Sequence, residues 1–563
     1  MRSFFLAIRW GLCIGLMGAV GLAQAQPQPS APAPRTWIFL AERPPSVAAS
    51  TDATAEARRR RHLRGAAGAA SLTRPVAPSY LRVLRARGVQ PVVRSRWLHA
   101  VSAPLTPRQR SQLAQLPFVT DIRPVAQRRS LRSARHAETA RPASPLLPPL
   151  SPFSSTADSS HYGSSYAQLA VMNALQPLER GLTGRGVRIG FMDTGFRDLQ
   201  HPAFLHLRRD QRLLGLRDFT EGQQTNNHGA GVVSAAVGYA PGSLIGPAHG
   251  AEVLGASTEF TRFERNVEED YFVAGLEWLE RQGVDLVNVS LGYTTFDDGE
   301  RSYTTEDLDG DTGVTTRAVD AAAQLGVTVV VSAGNSGCGD PANCWFRVST
   351  PADADSAITV GAVAPDSTVL RFSSRGPTAD GRIKPDVAAL GRSVTAAWES
   401  DRYAQVGGTS FAAPLVTGVV AQMLEMNPAL TPMDVRSILR RTASQARAPD
   451  TTLGWGIVNA DAAVRAAERQ ARQAPPTATL LQPPSPNPAQ TQTTIALRAP
   501  STAEHATVVL YDVLGRRVLQ RRFPLQPGPN RLTLSLDPLS AGLYLYRIRT
   551  ADHLSTGKLV VMR

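Results

Sequence analysis

The sequence predicts an α/β protein: a parallel sheet flanked by helices, preceded by a small α+β segment and followed by an all-β sandwich. Three observations carry that expectation. Between Gly181 and Asn459, β-branched apolar runs alternate with small-residue helical stretches, the pattern of strands buried on both faces. Between Tyr80 and Val125 the order reads helix, strand, helix, strand. Beyond residues 471–484, rich in Pro, Gln and Thr, the composition switches to short β-runs separated by turns.

Taken in order, residues 1–25 read as a secretory signal peptide. Arg2 and Arg9 flank an N-terminal region, 11–22 is uncharged and apolar, and Ala23-Gln24-Ala25 is a small-x-small cleavage site. The run is too short to span a bilayer, and no later stretch reaches the roughly 18 apolar residues of a transmembrane helix. Within residues 26–127, Tyr80–Arg87 and Thr106–Leu116 look helical, while Val92–Val101 and Phe118–Val125 look extended. Residues 128–156, rich in Arg, Ser and Pro, read as a flexible linker open to processing. The formal charge of the 563-residue chain is +14, and its distribution argues against a nucleic-acid partner. Residues 26–150 hold 21 arginines, no lysine and five acids, so the positive charge belongs to this segment and residues 151–563 are net −4. The Arg58-Arg59-Arg60-Arg61 run is expected to be a solvated loop.

The chemistry-bearing residues lie in 157–470. In Gly407-Gly408-Thr409-Ser410-Phe411-Ala412-Ala413-Pro414, two glycines turn the chain into an apolar helical run. Ser410 then stands at a helix N-terminus, beside unpaired N–H groups and the positive end of the dipole. An ordinary capping serine has the same appearance. Val187–Gly195 reads as a buried strand delivering Asp193, and Asn227–Ser234 places His228 ahead of a small-residue helix. The chain order Asp193, His228, Ser410 is that of subtilisin rather than of chymotrypsin or the α/β-hydrolases. With these motifs, the region from Gly181 to Asn459 resembles the subtilisin-like serine proteases, and a subtilisin-like sheet is the expected fold.

That resemblance implies roles. His228 would be the general base, Asp193 its orienting partner and Ser410 the nucleophile. Val329–Gly337 resembles the family's oxyanion segment, with the Asn335 side chain and the Ser410 N–H as donors. The strand Val284–Gly292 would pair with an extended protein or peptide substrate, with Ser290, Leu291 and Gly292 lining one side of the P1 pocket and Ser332, Ala333 and Gly334 the other. Ala230 and Gly231 depart from the usual threonine and histidine after His-Gly. His201 and His249 are expected to be structural. No cofactor is implied for catalysis. The segment 26–127 resembles an inhibitory propeptide, a partner of its own catalytic domain.

Residues 485–563 resemble a type A sorting domain of type IX secretion, through Ser485-Pro486-Asn487-Pro488, Tyr511–Arg516 and Ala541-Gly542-Leu543-Tyr544. A carbohydrate-binding sandwich is the competing reading. The export machinery is thus a second expected partner, and passage through the periplasm to the exterior or cell surface the expected route. Cys338 and Cys344, the only cysteines outside the signal segment, are expected to form a disulfide in an exported protein. Asp307, Asp309 and Asp311 surround a glycine like the start of a loop for structural calcium, but the bidentate Glu of such a loop is missing. An acidic solvated loop is the alternative. The functional expectation is a secreted serine endopeptidase; its rival is a catalytically weak surface binding or adhesion protein on a protease fold.

Overall fold

A computed structural model describes residues 35–41, 52–124, 159–220, 222, 226–261, 263–297, 300–337, 345–473, 480–481, 484–499, 505–526, 528–550 and 554–562. The N-terminal domain is an antiparallel sheet in the order β2-β3-β1-β4, formed by β1 (Arg35–Leu40), β2 (Val93–Ser95), β3 (Ala100–Pro104) and β4 (Val119–Pro124). Its helices are α1 (Ala55–Leu63), α2 (Pro78–Ala86) and α3 (Pro107–Leu113), with a 3-10 helix at Ala66–Thr73. Alternation on β1 divides its side chains between two cores. Ile38 and Leu40 join Leu84, Val101 and Leu113 inside the domain, whereas Trp37 and Phe39 face the catalytic region.

Two expectations are corrected here. The stretch Val92–Val101 is not one strand: residues 96–99 turn it back, His99 takes φ +48°, and Val93 pairs with Ser102. Apolar content on both sides of the turn hid the reversal. The Arg58–Arg61 run is not a solvated loop but the middle of α1, capped by Thr54, with Arg60 buried.

Short helices α4 (Ser159–Tyr162), α5 (Tyr166–Ala170) and α6 (Leu175–Glu179) lead into the catalytic region. Its sheet contains β5 (Arg188–Asp193), β6 (Leu213–Asp218), β9 (Glu252–Ser257), β10 (Leu286–Val289), β11 (Thr328–Ser332), β12 (Ile358–Val363) and β13 (Val387–Leu390). These seven strands are parallel, in the order β13-β12-β11-β10-β5-β9-β6. The β-branched run of β11 serves both faces: Val330 enters one core, Val329 and Val331 the other. Between these strands lie α7 (Leu205–Arg209), α8 (His228–Val237), the small strands β7 (Tyr239–Ala240) and β8 (Leu244–Ile245), α9 (Val267–Arg281) and α10 (Val314–Gln324). The hairpin β14 (Val394–Trp398) and β15 (Arg402–Val406) precedes α11 (Thr409–Met426), α12 (Pro432–Thr442) and α13 (Ala460–Gln473). Helices α8, α11, α12 and α13 cover one sheet face, α9 and α10 the other, and the N-terminal domain packs over α9 and α10.

The C-terminal residues form two antiparallel sheets around one core. One contains β16 (Leu480–Leu481), β17 (Gln492–Ala499) and β20 (Gly528–Ser535); the other orders β19 (Arg517–Pro524), β18 (His505–Tyr511), β21 (Gly542–Arg549) and β22 (Leu554–Val561). Among the described residues, no helix is long and apolar enough to cross a membrane.

Candidate active site

Asp193 ends β5, His228 begins α8, and Ser410 lies in the first turn of α11. All three therefore gather where the parallel strands finish. Asp193 is 1% exposed, and its Oδ1 accepts from Thr194 N at 2.8 Å and from the Thr194 hydroxyl at 3.1 Å. His228 Nδ1 lies 2.7 Å from the same oxygen. Because the carboxylate accepts, Nδ1 carries the proton and Nε2 is left as the basic nitrogen. The imidazole also meets the Phe411 ring edge to face, with ring centroids 5.2 Å apart. Phe411 follows Ser410 in the chain, so the histidine contacts both the aspartate and the serine's neighbour.

Close approach requires Gly229. A Cβ there would lie 2.9 Å from Asp193 Cβ. Gly231, the departure noted in the sequence, faces Phe411 and Trp398 at ordinary contact distances for a Cβ. The small residues thus let α8 lie against α11 and β14, as expected.

Gly408 has φ +136°, a conformation that side chains rarely adopt, and it swings the chain into α11. Thr409 N and Oγ1 then donate to Asn335 Oδ1 at 2.8 and 3.0 Å, and Thr409 Oγ1 accepts from Gly334 N at 3.2 Å. With Oδ1 accepting, Nδ2 is the donor end of the Asn335 amide. The N–H of Ser410 belongs to the first helical turn, where no intrahelical acceptor exists.

Residues 290–292 and 332–334 leave the neighbouring strands β10 and β11 at the same edge as these groups. Ser290 is buried and serves the framework: its hydroxyl donates to Ser410 O at 2.8 Å and accepts from Asn288 Nδ2 at 2.8 Å. Thr417 completes the chain by donating to Asn288 Oδ1 at 2.9 Å. Leu291 is partly exposed and Gly292 exposed; Ser332 and Ala333 are buried, and Gly334 is partly exposed.

The histidine decoys have structural partners. His201 Nδ1 accepts from Ala203 N at 3.0 Å and Nε2 lies 2.9 Å from Arg402 O. His249 stacks on Tyr239, and burial pushes its pKa down to about 4. Cys338 and Cys344 lie outside the described residues. Two of the three aspartates engage local donors. Asp307 caps its own turn through Thr304, whereas Asp309 accepts from Asp311 N at 2.9 Å and Thr312 N at 2.7 Å. No group of three His, Cys, Asp or Glu among the described residues is placed to hold a metal.

Sequence reading missed Thr409, Asn288, Thr417 and Asn226. Asn226 Oδ1 accepts from the Thr194 hydroxyl at 2.6 Å and from His228 N at 3.2 Å, joining the aspartate loop to the histidine helix. Its place two residues before the histidine was the only available signal.

Comparison with known proteins follows the same division. The subtilase family profile matches residues 184–456, that of a Bacteroidota peptidase S8 propeptide domain 35–141, and that of a secretion-system C-terminal sorting domain 485–562. Serine protease AprX of Bacillus subtilis is 30% identical over 54% of this chain and 70% of its own length. Subtilisin Savinase of Lederbergia lenta is 31% identical over 51% of this chain and 93% of its own. The chain belongs to the subtilase family. It is a subtilisin-like serine endopeptidase carrying its own propeptide and a type IX sorting domain, which marks it for secretion or cell-surface attachment.

Proposed function

We propose that this secreted endopeptidase cleaves protein substrates through Asp193, His228 and Ser410, by way of an acyl-enzyme. The supporting observation is the 2.7 Å pairing of His228 Nδ1 with Asp193 Oδ1, with Phe411, next to Ser410, in edge-to-face contact with the same ring. His228 Nε2 takes the hydroxyl proton as Ser410 Oγ bonds to the scissile carbonyl carbon. Asn335 Nδ2 and the Ser410 N–H stabilise the resulting oxyanion. Collapse breaks the C–N bond, and His228 returns its proton to the leaving amine. Water then repeats the sequence on the ester, releasing the acid and restoring Ser410. An extended peptide pairs through its backbone with the strand that ends in residues 290–292, which gives affinity with little demand on sequence, and its P1 side chain enters between residues 290–292 and 332–334.

A fluorophosphonate probe tests the assignment. It should label the matured enzyme at Ser410 and leave Ser410→Ala unlabelled; labelling elsewhere, or of the variant, would reject it. In the same reading the sorting domain directs passage from the periplasm to the exterior and takes no part in catalysis. Ending the chain near Arg472 should leave peptidase activity intact while the protein accumulates in the periplasm of its host. Undiminished export of the truncated protein would contradict that role.

A further inference from the structure

The N-terminal domain does more than lay its sheet on α9 and α10. Between β1 and α2 it extends an arm, Asp52 to Thr73, that reaches the edge of the core opposite the active site. The arm begins where Thr54 N donates to Arg281 O at 3.0 Å. Its first turn sits on Gly283, where a Cβ would lie 2.6 Å from Glu56 Cβ and 2.9 Å from Ala57 N.

Two arginines of the arm then enter the core surface. Arg64, its side chain 1% exposed, donates to Asp285 O at 2.9 Å, Gly326 O at 2.6 Å, Pro428 O at 3.1 Å and Asp285 Oδ1 at 3.0 Å. Arg60, 2% exposed, donates to Val284 O, to Leu325 O at 3.4 Å and to Glu280 Oε1. Arg61 grips the Glu280 carboxylate with two bonds of 2.9 and 2.7 Å, and Arg96 of the β2–β3 turn adds a fourth contact to it at 2.6 Å. Residues 284–285 precede β10 and 325–326 precede β11, so these acceptors lie at the strand entries. The oxyanion and substrate segments leave the same strands at their exits, roughly 15 Å of strand away. The core groups that receive Arg60 and Arg64 are backbone carbonyls and the carboxylates of Glu280 and Asp285. That matches guanidinium, which donates in a fixed fork, and does not match ammonium.

We propose that this edge of the core is a guanidinium socket, and that the arm's Arg60 and Arg64 fill it as a second propeptide anchor independent of the active site. The arm thereby adds to the hold that the sheet face has on the cleaved propeptide. Activity appears only when both the sheet face and the socket let go. The inference rests on the propeptide's family assignment and not on the roles given to the triad.

The full chain tests it during maturation. Retained propeptide co-elutes with the core on size exclusion, and activity on a small peptide rises as it leaves. In Arg60→Ala/Arg64→Ala, co-elution should disappear and the lag before activity should shorten at least about tenfold. The final rate per fluorophosphonate-titrated site should equal that of the unaltered chain. A lag and co-elution equal to the unaltered chain's would overturn the proposal, as would an unaltered chain that never retains its cleaved propeptide. Should the double variant not fold, Arg61→Ala is compared with Arg59→Ala, whose exposed side chain lies on the same helix. The first should shorten the lag about threefold. Equal lags for the two would overturn the proposal equally.

Discussion

The two ends of the central sheet are built on different principles. At the strand exits, the reactive groups are held by hydrogen bonds from uncharged residues of the catalytic region itself: Thr194, Asn226, Asn288, Thr409 and Thr417. At the strand entries, carbonyls and carboxylates stand ready, and the groups that satisfy them come from the propeptide. Arg64, for example, reaches partners 221, 262 and 364 residues away in the chain. One end is complete within the catalytic domain; the other is complete only in the zymogen. Preorganised networks need no reorganisation during reaction, which suits catalysis. A charged surface left unsatisfied by departure suits a removable partner, since stripping its cations leaves buried acceptors that water must reclaim.

Substitutions at the exits should act on chemistry alone. Ser410→Ala should reduce kcat by about 10⁶-fold, the loss found where a triad works as a unit. If Ser410 also performs maturation, the purified variant should keep its propeptide covalently attached. Normal processing with no other protease present would show that maturation occurs in trans. Asn335→Ala should lower kcat by about 10²–10³-fold with KM little changed. Thr409→Val should cost about tenfold, the worth of a hydrogen bond that orients the amide. Its effect should vanish in the Asn335→Ala background. Independent, multiplicative losses would mean that Thr409 does not act through Asn335.

This contrast also explains what could be read from the sequence. Asp193, His228, Asn335 and Ser410 each sit in a short motif whose glycines encode local backbone geometry, so these four were legible, whereas Asn226, Asn288, Thr409 and Thr417 around them were not. The buried runs of β5, β10 and β11 announced a parallel sheet, and alternating short runs announced the C-terminal sandwich. The arm was not legible. Arg58–Arg61 has the composition of a solvated run, and only tertiary contacts with Glu280, Val284 and Leu325 turn Arg60 inward. The β2–β3 hairpin was missed for a related reason, because a turn made of Arg96, Trp97, Leu98 and His99 contains no glycine, proline or asparagine to mark it.

The smallest expected effect separates the zymogen face from the rest by pH. Asp270 on α9 is buried under the propeptide, where the Ser102 hydroxyl donates to it and Arg35 stands 3.6 Å away. Burial outweighs both and pushes its pKa up to about 7. A carboxyl raised in the folded state holds a proton there that it loses in the unfolded chain. Its contribution to stability is complete below about pH 4, the ordinary carboxyl range, and is lost as pH rises through about 7. Glu268 and Glu269, raised by burial to about 8, add the same trend. In the uncleaved Ser410→Ala chain, denaturant unfolding should therefore show Asp270→Asn losing less stability than its parent between pH 5 and 7. The difference is at most about 1.4 kcal/mol per pH unit for one group. In the matured enzyme Ser102, Arg35 and the rest of that cover are gone, Asp270 meets water, and the substitution should leave the pH dependence unchanged. An equal effect in both forms would place the burial of Asp270 within the catalytic domain and erase the distinction between a self-sufficient catalytic end and a face completed by the propeptide.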